Sequence, residues 1–221
     1  ESSSPIIHDL NTAAGRREMK LDFQTQADDA NRRGETELAN SLQQKADLVA
    51  KSSVQSFHVQ PGEDASCLNI YQTRVPTILG VPPSMTKRGG FKFVEAKTEN
   101  PWTLLDEKHP TDEDGIPVYP VLGDMNTLQY SLHKGVNATI SVPNDEAPEF
   151  KLKVVGMLDG SVFQGVLLMS RANFQKLYPD RSGYQYFLIE TPSGESAENT
   201  RSTAKAVSQL LESRLNDFGF D

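Results

Sequence analysis

The stretch FKLKVVGML, residues 150–158, decides the fold class of this chain. Phe150, Leu152 and Val154 are apolar, and the two residues between them are lysines. Side chains two positions apart on a β-strand point to the same face, so this alternation predicts a strand with one buried face and one wet face. We expect the strand to continue to Gly156.

Similar short apolar runs lie on both sides of this strand. CLNIY, PVYPVL and ATISV precede it, GVLLM follows it, and clusters of proline, glycine and polar residues separate them. Short runs between turn-forming residues are typical of strands. After GVLLM we expect a short helix that follows Ser170 and carries Phe174 and Leu177, and then a strand over residues 184–190.

Two longer segments predict helices near the chain ends. Within residues 36–51 the apolar residues recur at spacings of three and four, and they are Ala39, Leu42, Ala46, Val49 and Ala50. This narrow, alanine-rich stripe predicts a helix that lies against a surface, with Gly34 at its start or at a break. Residues 196–217 predict a second helix, and Gly219 follows it as a C-cap. One face of that helix carries Ala206, Val207, Leu210, Leu211, Arg214 and Phe218.

These elements together predict an α+β fold. Terminal helices cover a sheet, and a strand-rich lobe lies between them in sequence. We expect one core to be shared by five apolar residues of the two C-terminal helices, which are Phe174, Leu177, Val207, Leu210 and Leu211.

Charge and hydropathy narrow the class of protein. The chain has 22 Lys and Arg against 30 Asp and Glu, and no stretch gathers five basic residues, so nucleic acid is not an expected partner. No run approaches the roughly 18 to 20 apolar residues that cross a bilayer, and the start of the chain lacks the regions of a signal peptide. Taken alone, this favours a cytoplasmic protein, whereas Glu1 in place of a starting methionine is typical of a processed or excised chain.

The sequence carries no recognisable motif for catalysis or for a metal ion. The histidines are far apart and lack the spacing of a zinc site, and they are His8, His58, His109 and His133. Cys67 lies in an apolar run, where a lone cysteine is usually a small buried hydrophobe. The acidic residues within 106–114 lack the spacing of a calcium loop and indicate a solvated loop. We therefore expect no catalytic residue, no cofactor and no metal site.

Three apolar residues are candidates for contact with a partner protein. Trp102 follows a proline in NPWTLL, and Val162 and Phe163 lie between two glycines in GSVFQG. Exposed apolar side chains in such places can mark an interaction surface. The alternative, which we favour, is that they anchor the core.

Several strings of the sequence occur in a familiar order. They are DASCLNIYQTRVPTILGVP, NPWTLL, PVYPVLGDMNTLQYSLHKGVNATISV, KLKVVGMLDGSVFQGVLLMSRANFQKLYP and GYQYFLIETP. In this order the chain resembles, over residues 57–221, the extracytoplasmic MacB-like domain of a bacterial FtsX/MacB-family ABC-transporter permease. It departs from the family pattern at residues 134–137, where KGVN replaces the usual GD pair, and residues 19–53 match nothing in the family.

The resemblance implies a domain inserted between the first two membrane helices of a permease and held in the periplasm. It implies two lobes: a membrane-proximal lobe of mixed βαβ type from residues 1–60 and 145–221, and an inserted strand-rich lobe from residues 61–144. The implied function is not enzymatic. ATP-driven movement of the membrane helices would be coupled to export or to an extracytoplasmic partner, with a cognate ATPase and a second permease copy as partners. The terminal helices are the expected coupling elements.

Two other classes of protein stay open at this point. One is a secreted or surface hydrolase whose catalytic residues are distant in sequence, with Asp124, Ser131 and His133 as its candidates. The other is a free-standing ligand-binding domain, such as an adhesin or a sensor. The sequence does not identify the transported substrate or the activated partner.

Overall fold

The computed structural model describes the chain except for residues 63–75, 96–97, 109–110, 143–149 and 195. The α-helices are Ala13–Glu18 (α1), Phe23–Arg32 (α2), Thr36–Ala50 (α3), Pro83–Arg88 (α4), Arg171–Leu177 (α5) and Ala197–Leu215 (α6). The strands are Ser53–Gln60 (β1), Thr77–Val81 (β2), Phe93–Glu95 (β3), Val118–Asp124 (β4), Thr139–Val142 (β5), Phe150–Leu158 (β6), Val166–Ser170 (β7) and Tyr186–Glu190 (β8). Short 3₁₀ helices span Pro101–Asp106 and Asn216–Phe218, and a π-helical turn spans Asn126–Ser131. The predicted α+β class is confirmed.

The chain divides into two compact units. The terminal unit consists of Glu1–Ser56 and Ser182–Asp221, and the central unit is Phe57–Arg181. This division differs from the lobe boundaries that the sequence resemblance implies, because β6 and β7 pair with β4 and β2 and so lie in the central unit. The position of either unit relative to a membrane stays a prediction.

The central unit is built on a mixed sheet. Its strand order is β3-β6-β4-β7-β2-β1, where the second half of β1, from Phe57, belongs to this unit, and β5 pairs with β6. β4 runs parallel to β6 and β2 runs parallel to β7, whereas β4 and β7 are antiparallel. Phe150, Leu152 and Val154 are at most 2% exposed, while the lysines between them are half-buried. The strand predicted from FKLKVVGML is therefore confirmed.

α5 packs on the central sheet through Phe174. Gly80 on β2 leaves the space for this ring, because a Cβ at Gly80 would lie 2.9 Å from Phe174 Cγ. The ring also stacks on His58, the register partner of Gly80, with 5.6 Å between the centroids. Phe174 and Leu177 thus belong to the central core. The expectation that they share a core with Val207 and its neighbours on α6 is wrong, since periodicity shows which face of a helix is apolar and not which sheet it covers.

The terminal unit has a separate core under its helices. α2 and α3 pack against each other, and Gly34, at φ +78°, lies in the link between them as predicted. α3 turns Ala39, Leu42 and Ala46 inwards, so the helix predicted from residues 36–51 is confirmed. β8 contributes Phe187 and Ile189 to the same core. The predicted strand at residues 184–190 is therefore confirmed, although it begins at Tyr186.

α6 closes the core of the terminal unit. It runs for 19 residues, Ser196 caps it by accepting from Asn199 N, and Gly219 follows at φ +60°. Its buried face consists of Val207, Leu210, Leu211 and Leu215. We expect Leu210→Ala to lower the free energy of unfolding by about 2 to 5 kcal/mol, because it removes a buried side chain and leaves a cavity. Urea unfolding followed by far-ultraviolet circular dichroism measures this.

Leu38 on α3 provides the matched control for that substitution. Its side chain is 47% exposed, whereas Leu210 is 8% exposed. Leu38→Ala should change stability by no more than about 0.5 kcal/mol. Equal losses for the two variants would show that α6 is peripheral to the core.

An ion pair holds the acidic loop before β4 to β6. Lys151 Nζ lies 2.5 Å from an oxygen of Asp112, and the other oxygen of Asp112 accepts from the Ile116 backbone N–H at 2.8 Å. The hydrogen bond from Lys151 is the main cause that lowers the pKa of Asp112 below its ordinary value. The solvated loop expected here is therefore tied to the sheet at one point.

This pair predicts a pH dependence of stability. A carboxyl whose pKa is lower in the folded state stabilises the fold above its unfolded pKa of about 3.9, and the contribution is lost as the pH falls through the folded pKa. We expect Asp112→Asn to be less stable than the wild type at pH 7, and we expect this difference to shrink as the pH falls through the folded-state pKa of Asp112. Glu113→Gln, a change of an exposed neighbour, should show no such difference. If the difference in stability between Asp112→Asn and the wild type stayed constant with pH, the charge of Asp112 would not be what stabilises the fold.

Candidate functional site at the paired chain ends

The two ends of the chain pair with each other. Ser2 and Phe220 form an antiparallel bridge. Around it, Asp221 N donates to Glu1 O at 2.9 Å, and Ser4 N donates to the Phe218 carbonyl at 3.0 Å. The two end segments therefore lie side by side in the terminal unit.

Further contacts fix this pair of segments to β8 and to the core. Ile6 and Tyr184 exchange two backbone hydrogen bonds, of 2.9 and 2.8 Å, and the Gln185 side-chain amide reaches the carbonyls of Ser2 and Ser3. Because these bonds link residues about 180 positions apart, the ends are part of the fold and not loose tails.

Aromatic packing and a tight turn support the same arrangement. Phe220 is 8% exposed, and its ring centroid lies 5.2 Å from that of Phe187 on β8. At Gly219 a Cβ would lie 2.7 Å from Ser3 Oγ, so the turn that brings α6 back to the amino end requires glycine. Burial, and after it the charge of Glu1, raise the pKa of the Tyr186 phenol next to this region. That phenol stays neutral at physiological pH.

The role of the terminal helices as coupling elements stays a prediction. The amino end reaches α1 through bends and turns, and at the carboxyl end the 3₁₀ helix Asn216–Phe218 follows α6 directly, before the turn at Gly219. The sequence did not predict the pairing of Ser2 with Phe220, because no local periodicity connects residues at opposite ends of a chain. The one available signal was Gly219, which marks the stop of α6 and the turn that follows.

The three residues proposed as partner contacts differ in their exposure to solvent. Trp102 and Phe163 are completely buried, and their ring centroids lie 6.1 Å apart. Neither side chain has exposed surface with which to bind a partner. For these two residues the structure therefore favours the alternative, which is that they anchor the core. Val162 is 61% exposed at the tip of the same loop, and its role as a partner contact stays a prediction.

The candidate residues of a hydrolase do not assemble a catalytic site among the contacts that the structure describes. Asp124 is completely buried, and one of its oxygens accepts from Ser161 N at 2.7 Å and Ser161 Oγ at 2.8 Å. Its other oxygen accepts from Asn126 N at 3.0 Å. Ser131 and His133 are exposed and follow in the π-helical turn and just after it. Asp124 thus holds the Val162 loop in place.

The structure bears only in part on the remaining predictions, which concern Cys67, the histidines, metal sites and membrane helices. Cys67 and His109 lie outside the described residues. In the part of the chain that the structure describes, no three side chains of His, Cys, Asp or Glu come close enough to hold a metal ion. Within that part, too, no helix has the length and apolar character needed to cross a membrane.

Comparison with known proteins finds similarity at the level of solved structures. The sequence matches no protein-family model and no curated protein sequence. The chain is similar to the periplasmic region of MacB from Actinobacillus actinomycetemcomitans, with 14% identity and a TM-score of 0.38 over 73% of this chain and 66% of that region. The alignment therefore spans slightly less than two thirds of the MacB region. It is also similar to the extracellular domain of the noncanonic ABC-type transporter YknZ from Gram-positive bacteria, with 16% identity and a TM-score of 0.34 over 77% of this chain and 75% of that domain.

Proposed function

We propose that this chain is the extracytoplasmic domain of an ABC-transporter permease and that it is not an enzyme. The observation that carries the proposal is the pairing of the two chain ends through Ser2 and Phe220. Consecutive membrane helices lie next to each other in the bilayer, so a domain inserted between them must start and finish at one place. The order of sequence strings over residues 57–221 supports the same class.

The contacts around the paired ends suit a coupling role. A displacement of the ends acts on Tyr184 and Gln185, the two residues that precede β8, and on the terminal core through Phe220. Such contacts transmit movement only if the terminal unit has two arrangements of similar free energy. In our proposal the ATPase subunit supplies the bias, and the movement serves export or a partner protein outside the cytoplasm. A second permease copy completes the assembly.

Accessibility in intact cells tests the location. In the full-length gene product, with Cys67 replaced by serine, we introduce Ile7→Cys in the terminal unit or Val162→Cys in the central unit. Both native side chains are exposed, at 68% and 61%. We expect a membrane-impermeant thiol reagent to label both variants before lysis. Labelling that requires lysis would contradict the extracytoplasmic assignment.

Nucleotide dependence tests the coupling. The labelling rate at Ile7→Cys, close in sequence to the paired ends, should differ between the nucleotide-free state and the vanadate-trapped state of the complex with its ATPase. Tyr130→Cys, whose native side chain is 69% exposed in the central unit, is the control for general changes of reactivity. If the rate at Ile7→Cys stays the same in both states, the ends do not respond to ATP and the coupling role is wrong.

A further inference from the structure

A cleft of about 390 Å³ lies in the central unit. One wall is the end of the 3₁₀ helix Pro101–Asp106 and the residues after it, another is the start of β4, and the third is α5. Its lining residues are Asp106, Glu107, Lys108, Val118, Tyr119, Pro120, Ser170, Ala172, Asn173 and Lys176. A volume of this order is within the range of small-molecule sites, about 300 to 1,000 Å³.

The cleft is lined by charged side chains of both signs. Asp106 and Glu107 supply two carboxylates, and Lys108 and Lys176 supply two ammonium groups. Among the described residues, none of the four takes part in an ion pair. Opposite charges in one concave site that are not paired with each other are available to a ligand.

An aromatic ring accompanies the ammonium group of Lys176. Its Nζ lies 5.6 Å from the centroid of the Tyr119 ring, a distance at which a cation is attracted to the ring face. Tyr119 is 9% exposed and packs edge-on against Phe150, so the ring is fixed by the core. This contact places the charge of Lys176 over the first residues of β4.

The cleft also has neutral polar groups. Ser170 is 4% exposed, and its Oγ accepts from the Asn173 backbone N–H at 3.3 Å. The Asn173 side-chain N–H donates to the Leu105 carbonyl at 3.4 Å. In the described part of the chain, the Ser170 hydroxyl hydrogen and the Asn173 side-chain oxygen have no further partner. They can donate and accept one hydrogen bond each.

We propose that this cleft binds a small zwitterion, a free amino acid or a short peptide with both ends uncapped. The ligand carboxylate binds Lys176 and the Ser170 hydroxyl, and the ligand ammonium group binds Asp106 and Glu107. A ligand of one sign would be attracted by only two of the four charged groups and would meet like charges on the other two, whereas a zwitterion offers a partner to both signs. The inference does not depend on the proposed function of the chain.

Binding of trialanine to the 221-residue chain tests the proposal. We expect saturable binding by isothermal titration calorimetry or by chemical-shift changes of the α5 amides. N-acetyl-trialanine and trialanine amide each lack one charge. Each should bind at least about tenfold more weakly, which corresponds to about 1.4 kcal/mol of binding free energy. Saturable binding of trialanine with equal affinity for a capped form would overturn the zwitterion assignment, and no saturation up to about 10 mM would overturn the site.

A pair of lysine variants locates the binding. Lys176→Met should weaken trialanine binding at least about tenfold, whereas Lys87→Met, at an exposed lysine on α4 outside the cleft, should leave it unchanged. Both lysines are exposed, so both variants are expected to fold, and far-ultraviolet circular dichroism checks this. Binding that Lys176→Met leaves intact would place the ligand elsewhere and overturn the proposal.

Discussion

Trp102→Ala is expected to lower the free energy of unfolding by about 3 to 5 kcal/mol. The indole is completely buried and lies edge-on to the rings of Phe91, Phe93 and Phe163, with centroids 5.8 to 6.1 Å apart. Its Nε1–H donates to the Gly90 carbonyl at 2.8 Å. Removal of the side chain leaves a large cavity and takes away the donor that this carbonyl uses.

Two variants separate the ring from the hydrogen bond. Trp102→Phe keeps an aromatic ring and loses the donor, and we expect a smaller loss of about 1 to 3 kcal/mol. Tyr130→Ala removes an aromatic ring that is 69% exposed and should cost no more than about 0.5 kcal/mol. Because Trp102 is the single tryptophan, urea unfolding must be followed by circular dichroism and not by its fluorescence. A loss below about 1 kcal/mol for Trp102→Ala would show that the cluster is not a core.

Asp124→Ala is the second substitution with a large expected effect, about 3 kcal/mol. The buried carboxylate accepts three hydrogen bonds, two from Ser161 and one from Asn126 N. Without it, the buried N–H of Ser161 loses its partner, and an unsatisfied buried donor is costly. Asp114→Ala is the control, because the Asp114 side chain is 78% exposed, and it should change stability by no more than about 0.5 kcal/mol.

A double-mutant cycle tests whether Asp124 acts through the loop. Ser161→Ala removes only the hydroxyl partner, so the loss for Asp124→Ala combined with Ser161→Ala should be smaller than the sum of the two single losses. Strict additivity would mean that the 2.8 Å contact between the two side chains contributes nothing, and that Asp124 stabilises the fold by other means.

Local periodicity explains what could be predicted from the sequence. The alternation at Phe150, Leu152 and Val154 and the apolar face around Leu210 identify β6 and α6, because each element must bury one face whatever it packs against. The partner of that face is a tertiary property. For this reason the sequence predicted a helix containing Phe174 but assigned the helix to the wrong core.

Contacts between distant residues account for the rest. Phe57 and Trp102 both pack on Phe163, and these three residues are far apart along the chain. No spacing rule joins them, so Trp102 and Phe163 remained candidates for a partner contact until their burial was seen. The same holds for the bridge between Ser2 and Phe220, which joins residues 218 positions apart. The cleft near Lys176 likewise brings together three separate segments of sequence.

The pairing of the ends also makes this chain suitable for topological engineering. Because Glu1 and Asp221 already exchange a backbone hydrogen bond, a short glycine-serine linker can join them without spanning any distance across the unit. New termini can then be opened at the exposed turn at Gly115, where φ is +80° and a Cβ would meet nothing within 4 Å. Such a circular permutant should retain both cores, and the original chain should tolerate grafting into a surface hairpin of an unrelated carrier protein.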